Sequence, residues 1–404
     1  MDTITHGIAG ALISKAAFGG RDLFSPRSLS RQRLITWSLM LGAIFPDSDV
    51  FREIFSRNQL LMLTWHRSIT HSLLCLPIWT VILAGLTCVL AKWKKWEAPS
   101  FFSLCGIWAI GILSHIILDL VTTFGTMIWS PVAWSRPAWD IIFIVDFTFT
   151  AILLIPQLLS WTYEDPVHIR WRAILMWLVF TPAPFLIAKI GQFVGAPISN
   201  AAILVATVLF AVLFLLPAVR GWGLRVAYAN WNRVGLILAV SYLVAASYAH
   251  HVAFGRVQQF AAQENLQVEA IGALPLPPSL WHWDGLVRAP RGVYEMRMDL
   301  SAGLFQGNAY KAGNSDSDVM EHTYYPDAFP NPWIDRAKEL PDVQKVLWFA
   351  RFPVTRFHKE GDEGVVEFSD LRFPEIRPDR PASFTYRVRF SGDGTVIAQG
   401  WVRR

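Results

Sequence analysis

The sequence predicts a mostly α-helical, multi-span transmembrane bundle followed by a C-terminal soluble, mainly β domain. Three observations lead there. Of 404 residues, 53% are hydrophobic, including 19 Trp and 27 Phe. The apolar residues are gathered into long runs that stop near Phe254. Charge divides at the same place: residues 1–254 carry 18 Lys+Arg against 11 Asp+Glu, net +7, and residues 255–404 carry 18 against 20, net −2. Two domains follow from this, a transmembrane domain over 1–254 and a mostly-β domain over 255–404. The pI of about 9.1 then belongs to loops that flank a membrane. No basic patch of the kind that holds nucleic acid is visible, so no nucleic-acid partner is expected. Cys75, Cys88 and Cys105 all sit in apolar runs, where a free Cys acts as a small hydrophobe, and no disulfide framework is expected. The opening Met1-Asp2-Thr3-Ile4-Thr5-His6 lacks the basic start of a signal peptide.

In chain order, residues 3–18 read as a small-residue-rich helix with Asp2 or Thr3 as its N-cap. Gly19-Gly20 ends it, and a basic loop with Arg21, Arg27, Arg31 and Arg33 against Asp22 follows. Residues 34–45 are apolar but only about half the ~20 residues a span requires. They end in Gly42-Ala43-Ile44-Phe45-Pro46-Asp47-Ser48-Asp49, which brings two carboxylates to membrane depth. Irregular backbone is tolerated there only where it lines a protein-walled cavity. A polar connection containing Trp65-His66-Arg67-Ser68-Ile69-Thr70-His71-Ser72 leads to a span over 72–91, closed by Lys92, Lys94 and Lys95. Residues 101–124, 141–161, 171–193, 198–219 and 234–254 read as five further spans. Asp146 lies inside the second of these, Asp140 just before it, and an uncharged loop over 191–197 separates the third from the fourth. His250 and His251 end the last span and, without a nearby carboxylate, read as interfacial.

Basic loops mark the cytoplasmic side of a membrane protein. Segments 19–33, 92–99 and 218–233, with 162–172 weakly basic, are therefore expected in the cytoplasm, and 47–71, 124–140, 191–197 and everything after Phe254 on the opposite side. This predicts a multi-pass inner-membrane protein with an extracytoplasmic C-terminal domain. It also brings Asp2/His6, Asp47/Asp49, His66/His71, His115/Asp119 and Asp140/Asp146 to one level in the outer half of the membrane.

Beyond the last span a polar, helix-like stretch (258–269) and a proline-rich corner, Leu274-Pro275-Leu276-Pro277-Pro278, precede short aromatic and β-branched runs. Residues 292–299, 345–352, 365–368, 383–390 and 395–401 read as strands. Trp281-His282-Trp283-Asp284 reads as an aromatic corner in preference to a ligand site.

The chemistry-bearing pattern centres on Ser114-His115-Ile116-Ile117-Leu118-Asp119. His115 and Asp119 stand four residues apart, so they share one helix face. Ionisable groups inside a span are expensive and mark function. One reading is a metal site; the other is a His–Asp hydrogen bond that joins two helices. His6, Asp47, Asp49, His66, His71, His115, Asp119 and Asp146 are the candidate metal ligands, more than one ion needs, so one or two ions fit. Nitrogen and oxygen donors without thiolate suit a divalent metal, zinc first, with manganese or iron also compatible. Such an ion polarises a phosphoryl or acyl oxygen and acidifies water. Asp49 is a candidate proton relay. Arg67 is a candidate phosphate holder, with an interfacial anchor as its other reading. His66 and His71 fall on different faces of a regular helix, so at least one must come from the preceding loop.

These motifs, Asp2 to His6, Gly42 to Asp49, His66 to Ser72, Ser114 to Asp119 and Asp146, resemble the YdjM-type family of predicted membrane-bound metal-dependent hydrolases over roughly the first 160 residues. Their order is also distantly similar to zinc-dependent phospholipase C, whose N-terminal Trp ligand has no match here. The resemblance implies hydrolase chemistry. The expected function is a metal-dependent membrane hydrolase acting on a phosphoester or acyl bond of a membrane lipid or amphipathic substrate. The alternative is a non-catalytic metal- or lipid-binding scaffold that acts through its C-terminal domain. A transporter is disfavoured by the lack of an inverted repeat and the single half-span.

Overall fold

A computed structural model describes residues 1–19, 26–56, 60–193, 199–277, 280–300, 322–373 and 384–402. Gly20, Arg21 and Asp22 of the first basic loop, residues 194–198 between two expected spans, Pro278 of the proline-rich corner and Ser383 lie outside the described residues.

The first helix, α1 (Thr3–Phe18), is capped by Asp2, whose carboxylate accepts Thr5 N at 2.9 Å and Thr5 Oγ1 at 2.7 Å. Helix α2 (Pro26–Ile44) does not stop at the carboxylates. It tightens into a 3-10 turn over Phe45–Asp49 and continues as α3 (Val50–Phe55). The expected half-span is thereby corrected: Arg31–Arg52 is a 22-residue stretch long and apolar enough to cross a membrane. A 3-10 turn absorbs the polar Pro46-Asp47-Ser48-Asp49 segment without ending the helix. After α4 (Leu61–Thr64) and a 3-10 turn at Ile69–His71 come α5 (Leu76–Lys94), α6 (Phe101–Leu120), α7 (Phe147–Glu164), α8 (Ile169–Phe180), α9 (Ala183–Phe193), α10 (Asn200–Val219) and α11 (Tyr228–Gln263).

Six segments among the described residues can cross a membrane by length and composition: Arg31–Arg52, Leu76–Lys94, Phe101–Leu120, Ile169–Lys189, Asn200–Val219 and Tyr228–Gln263. The stretch 141–161 is not among them. Its helix α7 begins only after Asp146, which caps it by accepting Phe149 N at 3.0 Å, and residues 141–146 are irregular. The stretch 171–193 carries a turn at Thr181-Pro182, where Pro supplies no backbone N–H, yet Ile169–Lys189 remains one candidate span. Helix α11 has 36 residues, about 54 Å of rod, against the ~30 Å of a hydrocarbon core. The polar stretch after Phe254 is the continuation of this helix.

Lipid chains are as apolar as leucine, so close helix contact in a bilayer relies on shape and small residues. Gly42 of α2 and Gly111 of α6 provide it: a Cβ on Gly111 would lie 2.7 Å from the Leu39 carbonyl and 3.0 Å from Gly42 Cα. That contact sets α2 against α6 one helical turn before His115. Leu12, Leu118, Phe149, Leu153, Tyr242 and Ala246 join α1, α6, α7 and α11 in one core. Ile78, Val81, Ile82, Leu86 and Val89 on α5, and Leu204, Val205, Val208 and Leu209 on α10, are exposed, as lipid-facing positions are.

The C-terminal region holds two antiparallel sheets in sequential order: β1 (Ala270–Pro275), β2 (His282–Ala289), β3 (Gly292–Asp299) and β4 (Thr323–Pro326), then β5 (Pro353–Glu360), β6 (Glu363–Asp370), β7 (Thr385–Phe390) and β8 (Val396–Trp401). Leu286 pairs with Glu295 in the first and Val366 with Val388 in the second. Between them lie α12 (Pro332–Glu339) and α13 (Pro341–Phe349). The expected strand over 345–352 is therefore corrected to a helix. Pro341 stands at its first turn beside Asp342, and Val343, Val346 and Phe349 bury one helical face. Trp283 and Asp284 are buried, Trp283 against Ala253 and Val257 of α11, while Trp281 is exposed, so only the second half of the aromatic string is core. The second sheet, with α12 and α13, packs on Leu60, Leu63 and Phe124, which seats the β domain on the polar connection before α5 and on the end of the α6 segment.

Inside the first sheet Asp284 is buried beside Glu295, which accepts Tyr325 Oη at 2.6 Å. Burial, and then the Glu295 charge, hold the Asp284 carboxyl well above the usual carboxylate range. A carboxyl whose pKa is raised on folding binds its proton more tightly when folded, so stability is greatest at low pH and falls as pH rises through the raised value. Asp284→Asn removes that loss. Its melting temperature is expected to exceed wild type at pH 8 and to approach it toward pH 4. A wild-type melting temperature that does not fall between those pH values counts against the buried acid.

Candidate metal centre

Asp47 comes from the 3-10 turn after α2, His71 from the turn before α5, and His115 and Asp119 from successive turns of α6. One ligand-type atom from each lies within 4.8 Å of the others, and His71, His115 and Asp119 are fully buried. His71 Nε2 is 3.0 Å from His115 Nε2 and 3.2 Å from Asp119 Oδ2. His115 Nε2 is 3.4 Å from both Asp47 Oδ1 and Asp119 Oδ2, and His71 Nε2 is 3.8 Å from Asp47 Oδ1. Tetrahedral metal–ligand bonds of about 2.1 Å place neighbouring ligand atoms roughly 3.4 Å apart.

The hydrogen-bond pattern agrees with a cation at this point. His115 Nδ1 sits 2.6 Å from the Ala43 carbonyl, which can only accept, so Nδ1 carries the hydrogen and Nε2 presents its lone pair. His71 Nδ1 faces Asp49 Oδ2 at 3.4 Å and Thr70 Oγ1 at 3.1 Å, which leaves its Nε2 turned inward in the same way. Asp119 Oδ2 is buried without a hydrogen-bond donor. Two imidazole lone pairs and two carboxylate oxygens in mutual contact repel one another unless a positive charge stands among them. Fixing the far ring nitrogen on a carbonyl or carboxylate is the arrangement that orients a ligating imidazole. The donor set fits a divalent ion.

The other candidate residues surround this group. His6 stacks on His115 with ring centroids 3.6 Å apart, and its Nε2 lies 3.2 Å from Asp119 Oδ1. Asp49 stands behind His71: it accepts Arg67 N at 2.9 Å and Thr70 Oγ1 at 3.1 Å, and meets His66 Nδ1 at 2.8 Å. His66 is partly exposed. Arg67, buried and with a left-handed φ of 61°, directs Nη2 to Asp119 Oδ1 at 2.9 Å and Nη1 to Thr122 Oγ1 at 3.2 Å. Asp146 is placed elsewhere, at the start of α7, where its carboxylate accepts Phe149 N and, at 2.6 Å, Tyr242 Oη. Asp140 pairs with Arg351 at 2.8 Å.

Sequence reasoning gave no role at the site to Thr3, whose hydroxyl bonds Asp47 Oδ2 at 2.5 Å, or to the Met1 amino group, 2.5 Å from Asp119 Oδ1. Thr70 was also passed over, although it lies between the two histidines. A hydroxyl beside a ligand-type residue was the available signal in both threonine cases. A cavity of about 400 Å³ adjoins the group. Its wall is mostly apolar, with Leu41, Ile44, Phe51 and Trp108, but includes Thr3 and Asp47. Leu41 and Phe51 are exposed on the face of the bundle.

Neither a curated protein nor a solved structure matches the chain. Six apolar helices make it a multi-pass membrane protein. Residues 1–189, which contain the whole of the four-residue group, match the family described as YdjM inner membrane protein.

Proposed function

We propose that the protein is a metal-dependent hydrolase of the membrane, cleaving a phosphoester or acyl bond of a lipid or other amphipathic substrate. The observation that carries this is the convergence of two inward-facing imidazole nitrogens and two carboxylates, one of which, Asp47, also walls an apolar cavity at the bundle surface. When bound, zinc, or manganese or iron in the same ligands, supplies Lewis acidity where substrate chains can reach. His71 and His115 hold their Nε2 atoms in place through Asp49 and the Ala43 carbonyl. Asp49 links His71 Nδ1 to His66 Nδ1, and the partly exposed His66 gives a proton a way out of the buried site. Arg67 neutralises Asp119.

The test uses purified protein with added zinc, manganese or iron, in vesicles of phosphatidylethanolamine and phosphatidylglycerol, with lipid products read by mass spectrometry. Wild type is expected to release a product, and His71→Ala to release it at least about 100-fold more slowly, since loss of residues that merely orient a ligand costs 10–100-fold. Equal turnover by the two proteins, or no product from either with metal bound, overturns hydrolysis. Metal binding without product leaves the non-catalytic scaffold.

A further inference from the structure

A second cavity, of about 240 Å³, lies at the seam between the membrane bundle and the β domain. Its wall combines Arg136 of the loop after α6 with Arg351 and Arg372 of the C-terminal domain, and adds Phe124, Trp134 and Trp348. We infer that it binds a phosphoryl group carried by a lipid headgroup.

Charge accounting within the cavity supports an anion. Arg372 is spent: it pairs with Asp370 at 2.7 Å and donates to the Phe349 carbonyl at 2.7 Å and the Thr123 carbonyl at 3.1 Å. Arg351 gives Nη1 to both Asp140 oxygens, at 3.1 and 2.8 Å, and makes no other hydrogen bond among the described residues. Arg136 has no carboxylate partner among the described residues. Its Nη1 and Nη2 are tied to the carbonyls of Leu63 and Gly125 at 2.5 and 3.1 Å, and its Nε is buried without a partner. Three guanidinium groups therefore face two carboxylates. The surplus belongs to Arg136, whose guanidinium is pinned by backbone and retains unspent N–H donors. A buried cation left without an anion is costly. The planar guanidinium fork matches the oxygens of a phosphoryl group.

The surroundings select a lipid as the carrier. Trp134 and Trp348, both exposed, form an aromatic rim of the kind that settles at headgroup level. Phe124 joins this cavity to the metal centre: its ring lies 4.9 Å from Arg136 Cζ, 5.0 Å from Arg67 Cζ and 5.8 Å from the His66 ring. The assignment of the bound headgroup as substrate rests on the hydrolase reading; the binding itself does not.

The test therefore uses protein stripped of metal, in maltoside micelles that contain no phosphate, titrated calorimetrically with dihexanoyl phosphatidic acid and, separately, with inorganic phosphate. The lipid is expected to bind, with at least a 10-fold loss of affinity in Arg136→Gln. Arg351→Lys, which keeps a cation for Asp140 but loses the guanidinium fork, is expected to weaken binding as well with an unchanged melting temperature, which separates loss of the site from loss of the fold. Phosphate that binds with the same Arg136 dependence while the lipid does not would keep the phosphoryl site and overturn the lipid as its source. Affinity unchanged in both variants, or no binding of either probe, overturns the inference. None of these readouts depends on turnover.

Discussion

His115→Ala and Asp119→Ala are expected to purify with less than a tenth of the wild-type metal, measured by mass spectrometry after metal is added back and unbound ion removed. Each deletes one of four donors from a group in which two contacts are already as close as 3.0 and 3.2 Å. A tetrahedral site with three protein ligands is viable only where water or substrate completes it. Here the vacated position is fully buried in α6, so water does not readily replace the lost donor. Asp119→Ala carries a second penalty, because Arg67 and the Met1 amine lose the carboxylate they face. Asp146→Ala is the control. Its carboxylate caps α7 and holds Tyr242, so it is expected to lose stability and keep its metal. Wild-type protein that takes up no metal, or His115→Ala that keeps it, removes the centre and leaves a polar helix-packing network.

Arg67→Met is expected to show the converse dependence. Arg67 is 2% exposed and its guanidinium lies 2.9 Å from a fully buried carboxylate. Removing one partner of a buried pair costs about 3–5 kcal/mol, because the other charge stays behind without compensation. A divalent ion at Asp119 Oδ2 supplies much of the missing positive charge. The drop in melting temperature is therefore expected to be large in chelator and smaller in zinc. Equal drops in both conditions would mean that metal and Arg67 do not share Asp119. The left-handed backbone at residue 67 persists in Arg67→Met and is held by the Asp49 bond to its amide.

The bundle was legible in the sequence because spans declare themselves by length and apolarity. Its errors arose where polar residues interrupt helices. Asp47 and Asp49 looked like the end of a half-span, yet a 3-10 turn carries the helix through them. Asp146 looked like a residue inside a span, yet it starts a helix. The β domain was legible as a class and less so in detail. Strands β2 and β6 are buried on both faces, so they lack the alternation that identifies a half-exposed strand. Helix α13 is rich in β-branched and aromatic residues, and only Pro341 and its three-residue spacing mark it as helical. At the site, a shared membrane depth suggested eight ligands, and depth carries no information about azimuth around the bundle. The structure brings Asp47, His71, His115 and Asp119 into one group, sets His6, Asp49 and His66 against it, and turns Asp146 to another task. The cavity at Arg136 was invisible because Arg136 stands more than 200 residues from Arg351 and Arg372 in the sequence.

The β domain is held to the bundle at its base by the unbroken helix α11 and at the seam by the seat on Leu60, Leu63 and Phe124, together with the Arg351–Asp140 pair and the Arg372 bond to the Thr123 carbonyl. The helix contains no proline and so no built-in hinge. A rod of about 54 Å that leans by 10° carries its far end sideways by roughly 9 Å. The seat cannot follow such a swing without parting from Leu60 and Leu63. The domain is thus a mast stepped at one end and stayed at the other, and the lean that a bilayer of given thickness imposes on the mast becomes tension in the stay beside His66 and Phe124.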